Sequence, residues 1–175
     1  MRWVALLRAV NLGARNKVPM AQLRAELEEA GYGNVRTFIA SGNVLLDAPP
    51  GAAKLAAALE SLVADEFGVT TTVILRKPGE LAETVAAHPF GADTSKTHVA
   101  FLAKRPTKAA AARLAAVDGG ADRAVLTGSD AYLRLSAGVH GSRLSIARVE
   151  SLLGVPATVR NWRTVATLAE LAAEG

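Results

Sequence analysis

Two hydrophobic periods take turns along this chain. Residues 3–7 (Trp-Val-Ala-Leu-Leu) form a short, nearly continuous apolar run of strand length. Met20, Leu23, Leu27 and Ala30 then recur three and four apart, the spacing of one helix face. Pro19 stands where a helix can open without losing an N–H partner, and Gly31 follows as a stop. Strand-like runs at 35–40 and 44–46 flank Ser41-Gly42-Asn43, which reads as a hairpin turn. Leu55, Leu59, Leu62, Val63 and Phe67 make a second helical face, ended by Gly68. Residues 69–75 then alternate as a further strand. The order is strand, helix, strand, strand, helix, strand, the ferredoxin-like split βαβ unit.

A short helix is predicted over 78–87, with Leu81 and Val85, and the order then repeats. Residues 98–103 read as a strand, and Thr107 can cap a helix carrying Ala110, Leu114 and Val117. Strands follow at 123–126 and 131–135. Ser142 or Ser145 can cap a helix with Ile146, Val149, Leu152 and Leu153, stopped by Gly154. The last strand is 157–160, and Thr164 can cap a closing helix with Val165, Leu168 and Leu171. The halves share almost no residue identity, so the repeat is one of element order. The predicted class is α+β: two ferredoxin-like (βαββαβ) halves in tandem, 1–76 and 97–175, joined by a linker with a short helix over 77–96. A C-terminal helix closes the second half, and one compact unit is expected.

Composition narrows the chemistry. At 175 residues with half of them hydrophobic, the chain can bury roughly 70% of its unfolded surface without a staple. It has no Cys, which excludes disulfides, zinc–thiolate sites and a Cys nucleophile, and points to a reducing, cytoplasmic setting. The apolar start is broken at Arg8, too early for a signal peptide. No apolar run approaches ~20 residues, so no membrane partner is expected. The net charge of +4 is scattered, and aromatics are only 5%. A nucleic-acid groove would want a longer basic stripe with interleaved aromatics.

The strand order places the polar loops. A right-handed crossover makes the first two strands parallel, so the exit of the first strand, the start of the first helix and the hairpin turn fall on one sheet edge. Those are Arg8, Asn11, Gly13, Arg15 and Lys17, the N–H groups following Pro19, and Ser41, Gly42 and Asn43. A helix N-terminus offers free donors and about half a positive charge. In the second half, the loop 137–141, Ser142-Arg143 and Arg160-Asn161-Trp162-Arg163 are expected to be neighbours. Trp162 is expected to be buried between the last strand and the last helix.

Other chemistry is missing. His88, His98 and His140 have neither metal-ligand spacing nor a triad context. His98 reads as structural; His140, in a Gly-flanked loop, is the one with reach. There is no P-loop and no nucleophile elbow, and no residue takes a role as acid, base or nucleophile. Neither metal nor cofactor is expected.

Two stretches carry a resemblance. Leu7-Arg8-Ala9-Val10-Asn11-Leu12-Gly13, Lys17-Val18-Pro19-Met20 and Val35 through Ser41-Gly42-Asn43-Val44 are similar to the opening of the bacterial domain-of-unknown-function family numbered 1697. So is Ala157-Thr158-Val159-Arg160-Asn161-Trp162-Arg163-Thr164-Val165. Ala9 and Ala14 stand where the family pattern has Gly, and Ala40 where it has Gln. The resemblance implies two ferredoxin-like halves and no established activity.

The functional expectation is a small anionic ligand, a nucleotide or phosphorylated metabolite. Arg8, Lys17 and the helix start would hold it, with Asn11, Gly13, Ser41, Gly42 and Asn43 around it. Arg160, Asn161 and Trp162 would complete the pocket if the halves face each other. The alternatives are a nucleic-acid binder and an interaction module without a ligand. Lys17 and Asn43, read as surface positions, should both be replaceable by Ala at little cost to stability.

Overall fold

The computed structural model describes residues 1–174. Its elements run β1 (Arg2–Leu7), α1 (Met20–Glu29), β2 (Gly33–Phe38), β3 (Asn43–Asp47), α2 (Ala52–Phe67), β4 (Val73–Arg76) and α3 (Pro78–Ala86). Then come β5 (Thr97–Leu102), α4 (Lys108–Ala115), β6 (Arg123–Thr127), β7 (Asp130–Arg134), α5 (Ile146–Leu153), β8 (Ala157–Asn161) and α6 (Trp162–Ala173). The class is α+β, with two four-stranded sheets ordered β2-β3-β1-β4 and β6-β7-β5-β8. Every neighbouring pair of strands is antiparallel. The chain divides into two units, Met1–Ala82 with the segment from Leu168 onward, and Glu83–Thr167.

In the first unit, alternation along β1 sends Trp3, Ala5 and Leu7 to the helix-covered face. There they meet Val44 and Leu46 of β3, Leu23 and Leu27 of α1, and Leu55, Leu59 and Val63 of α2. Each fully buried Leu contributes about 1.5–3 kcal/mol. The second unit repeats the scheme with Ala100, Leu102, Ala131, Leu133 and Ala157 under Leu114, Val149 and Leu153. The helix stops are the ones the sequence marks: Gly68 and Gly154 end α2 and α5 in the left-handed conformation.

Caps show where local chemistry decides a boundary. Thr107 Oγ1 accepts the Ala110 N–H (3.2 Å) at the start of α4. Ser145, not Ser142, caps α5, accepting the Arg148 N–H (3.3 Å). Ser142 instead donates to buried Asp122, whose other oxygen accepts the Ser136 N–H (2.7 Å) and hydroxyl (2.8 Å). These bonds, led by that of Ser142, hold the Asp122 carboxyl below its usual range. The closing helix begins at Trp162, two residues before its expected cap. Asn161 Oδ1 accepts the Thr164 N–H (2.9 Å), and Asn is among the strongest N-caps.

The strand expected over 69–75 is shorter and begins at Val73. Upstream, Thr71 Oγ1 donates to the Arg8 carbonyl (2.7 Å) and the Thr72 carbonyl accepts the Arg8 N–H (3.0 Å). The segment ties down the exit of β1 before it joins the ladder. On β1's other flank, Leu6 pairs with Asn43 and the Leu7 N–H donates to the Gly42 carbonyl (2.8 Å). The exit of β1 and the β2–β3 turn therefore share one edge.

Gly42 is dictated by that closeness. Its φ is +83°, and a Cβ there would lie 2.5 Å from Val10 Cγ2 and 2.9 Å from Leu7 Cβ. Gly13 also has positive φ (+58°) but open space around it. Gly42→Ala should therefore lower the unfolding free energy by about 2–4 kcal/mol, and Gly13→Ala by only about 1 kcal/mol. Urea denaturation of the two variants checks this; equal losses would contradict the packing explanation.

Candidate functional site

The loop between β1 and α1 folds on itself. Ala9, Asn11, Gly13 and Asn16 all take left-handed φ (+56°, +54°, +58° and +51°). The Asn11 N–H donates to the Asn16 carbonyl (2.8 Å), the Arg15 N–H to the Leu12 carbonyl (3.1 Å), and Asn16 Nδ2 to the Ala9 carbonyl (2.9 Å). Asn is tolerant of this backbone region and satisfies it locally. Leu12 at the tip is 63% exposed.

Asn11 fixes the loop to the sheet edge. Its Oδ1 accepts the Val18 N–H (2.8 Å), and its Nδ2 donates to the carbonyls of Val18 (2.8 Å) and Ala40 (2.7 Å). Both amide donors are thereby used. Asn43 is fully buried, its Nδ2 donating to the Phe38 carbonyl (2.9 Å) and Ser41 Oγ (3.0 Å). This overturns the expectation that Asn43 is a surface position: its side chain closes the β2–β3 turn from inside.

The structure brings Arg8, Asn11, Lys17, Ser41, Gly42 and Asn43 to the same edge, with Gly13 at the exposed loop tip. A cavity of about 460 Å3 lies there, lined by Asn11, Lys17, Val18, Pro19, Met20, Ile39 and Ala40. α1 starts in its wall, and no side chain caps it, because its N-cap is Pro19. Lys17 is exposed. Ile39 has a φ of +50°, an uncommon conformation for a β-branched residue, and is 49% exposed. Sequence reasoning missed Ile39, since nothing in a strand-like run announces a left-handed residue.

The second unit holds a separate polar cavity of about 570 Å3, lined by Thr94, Ser95, His98, Asn161, Trp162 and Arg163. His98 and Asn161 are register partners across β5 and β8. Trp162 departs from its expected place. It is half-buried and packs against His88 (ring centroids 4.3 Å apart) at the cavity wall. His88 Nε2 lies 3.0 Å from Thr97 Oγ1. Arg160 does not line this cavity. It is buried, donates to Thr158 Oγ1 (2.7 Å) and the Val159 carbonyl (2.9 Å), and burial pulls its pKa down to about 10. His140 is exposed on a short 3-10 turn, Val139–Gly141. His98 lines this cavity, and its Nδ1 is buried without a partner. Among the described residues no cluster of His, Asp or Glu could hold a metal ion, and no helix is long and apolar enough to cross a membrane.

A family model described as "Protein of unknown function (DUF1697)" matches residues 1–132. No curated protein matches. Among solved structures, the chain is similar to the conserved bacterial protein SP0830 from Streptococcus pneumoniae, at 22% identity over 98% of each chain with a TM-score of 0.73. That likeness is one of fold.

Two predictions follow from the geometry. Asn43→Ala removes the buried side-chain bonds to the Phe38 carbonyl and Ser41 Oγ and should cost about 2 kcal/mol, whereas Lys17→Ala should cost under about 0.5 kcal/mol. Urea unfolding separates them, and equal stability of both variants would contradict the buried role. The second concerns pH. Burial lowers His88 and His98 below the ordinary 6.5, opposed at His98 by the Lys96 main chain. On acidification the unfolded chain takes up protons first, so stability is full above about pH 6.5 and falls as the pH drops toward the lowered folded-state values. The urea midpoint should drop between about pH 7 and pH 5, and His98→Gln should flatten that slope. Parallel curves for the two proteins would contradict it.

Proposed function

The chain belongs to the DUF1697 family, whose description assigns no activity, and we propose that it binds a small anionic ligand at the first edge. One observation carries the reading: the N-terminus of α1 opens without a side-chain cap onto a cavity that also holds Lys17. Free N–H donors, the helix dipole and an ammonium group converge there, and each favours an anion. Pro19, Met20 and Ile39 form an apolar wall beside them. The ligand is therefore one with an apolar or aromatic body and a charged group, such as a nucleotide or another phosphorylated metabolite. Asn11, Ser41, Gly42 and Asn43 shape the site, while Lys17 and the helix start supply charge; Arg8, expected to help, does not line the cavity. The reading is confined to the first unit and leaves Arg160, Asn161 and Trp162 out. The strand order β2-β3-β1-β4, with one helix in each crossover, supports a ferredoxin-like half as the scaffold, and β6-β7-β5-β8 supports a second.

A second reading has its own observation. Leu12 and Ile39 are large apolar side chains exposed at the same edge, which favours a protein partner. The two are separated by a thermal-shift screen against nucleotides and phosphorylated metabolites. A ligand should raise the melting temperature, and Lys17→Ala should weaken its binding about tenfold or more while staying folded. A full response in Lys17→Ala places the ligand elsewhere. No response from any phosphorylated compound, with Leu12→Ser abolishing self-association or partner capture, favours the protein-binding reading.

A further inference from the structure

A different corner of the first unit gathers hydrogen-bond donors around one that is buried without an acceptor. α2 is a sixteen-residue helix whose N-cap is Gly51, so no side chain caps it, and its first turn holds no acidic residue. Its start lines a cavity of about 340 Å3 together with Trp3, Lys77 and Glu80. Trp3 is 3% exposed, and its indole Nε1 is buried without a hydrogen-bond partner. An indole nitrogen can only donate, and a buried donor left unmade is costly. Lys77 Nζ lies 5.7 Å from the centroid of the Trp3 ring. The first-turn amides, the indole N–H and the ammonium group are all donors, and the protein supplies no acceptor for the buried one, the indole.

We propose that this cavity is a second anion site, in which a small oxyanion of the phosphate class accepts from the α2 N-terminus, Trp3 Nε1 and Lys77. It is independent of the Lys17 edge. Glu80 sets its selectivity. One Glu80 oxygen accepts the Lys77 N–H (2.7 Å) at the start of α3, and its charge opposes the anion. Glu80→Gln keeps an acceptor for that cap and removes the opposition. Ala52→Asp places a fixed carboxylate at the helix start, which suits the dipole and fills the need for an anion.

The test reads the Trp3 indole 1H–15N resonance, assigned against Trp162→Phe because the chain has two Trp, while inorganic phosphate is titrated at constant ionic strength. The resonance should move saturably. Lys77→Ala should weaken the response about tenfold, Glu80→Gln should tighten it, and Ala52→Asp should abolish it in a protein that stays folded. Lys17→Ala should leave it unchanged, which separates this site from the first edge. A resonance that does not move, that moves equally with chloride, or that ignores the Lys77, Glu80 and Ala52 variants would overturn the proposal.

Discussion

Asn11 does with its side chain what a neighbouring strand does with its backbone. One acceptor and two donors reach the Val18 N–H, the Val18 carbonyl and the Ala40 carbonyl, at 2.7–2.8 Å. Those three main-chain groups sit where no regular ladder can reach them, and Val18 is fully buried. Left unpaired, the two Val18 groups would each cost about 1–3 kcal/mol, whereas the exposed Ala40 carbonyl could turn to water. The clamp joins the β1–α1 loop to the β2–β3 turn, and it sets where Pro19 stands and so where α1 begins. Asn11 itself takes a left-handed backbone conformation, which Asn tolerates better than most residues.

The rest of the edge is built on that join. Gly42 lets the turn press against Leu7 and Val10 with no room for a Cβ. Asn43 stitches the turn from beneath. Ile39, held at positive φ between them, cannot follow β2 into the core and leaves its side chain half in solvent. Strain of this sort costs of order 1–3 kcal/mol and persists only where surrounding contacts over-determine it. Here it shapes a cavity wall next to the one helix end that Pro19 leaves uncapped. Rigidity from buried amides and glycine thus presents an exposed, charged residue, Lys17, beside fixed main-chain donors.

Much of the fold was legible because period and punctuation agree. The helical faces led by Leu23 and Leu55, the glycine stops at 68 and 154 and the Thr107 cap are all local signals, and the structure uses each. That the exit of β1 and the turn at 41–43 share one edge was legible from strand order alone. What stayed hidden depended on partners far apart in sequence. Nothing local shows that Asn43 is buried, or that Arg160 turns its guanidinium into the protein, since alternation along a strand has two faces and both can be covered. Trp162 was misplaced because Asn161 takes the cap and starts the helix three residues early. The ring then lies against His88, contributed by the linker. The late start of β4 reflects Thr71 bonding the Arg8 carbonyl, a contact across 63 residues.

The most direct measurement of the central claim is a 1H–15N correlation spectrum of the full chain, recorded while the nucleotide or phosphorylated metabolite found by thermal shift is titrated in. If the first edge is a ligand site built on the open start of α1, the amides of Met20, Ala21 and Gln22 should shift together with those of Lys17 and Ile39. The amides around His98 and Arg163 should stay in place. A ligand that stabilises the protein yet leaves residues 17–22 unmoved would contradict the assignment and return Asn11 and its neighbours to a purely structural role.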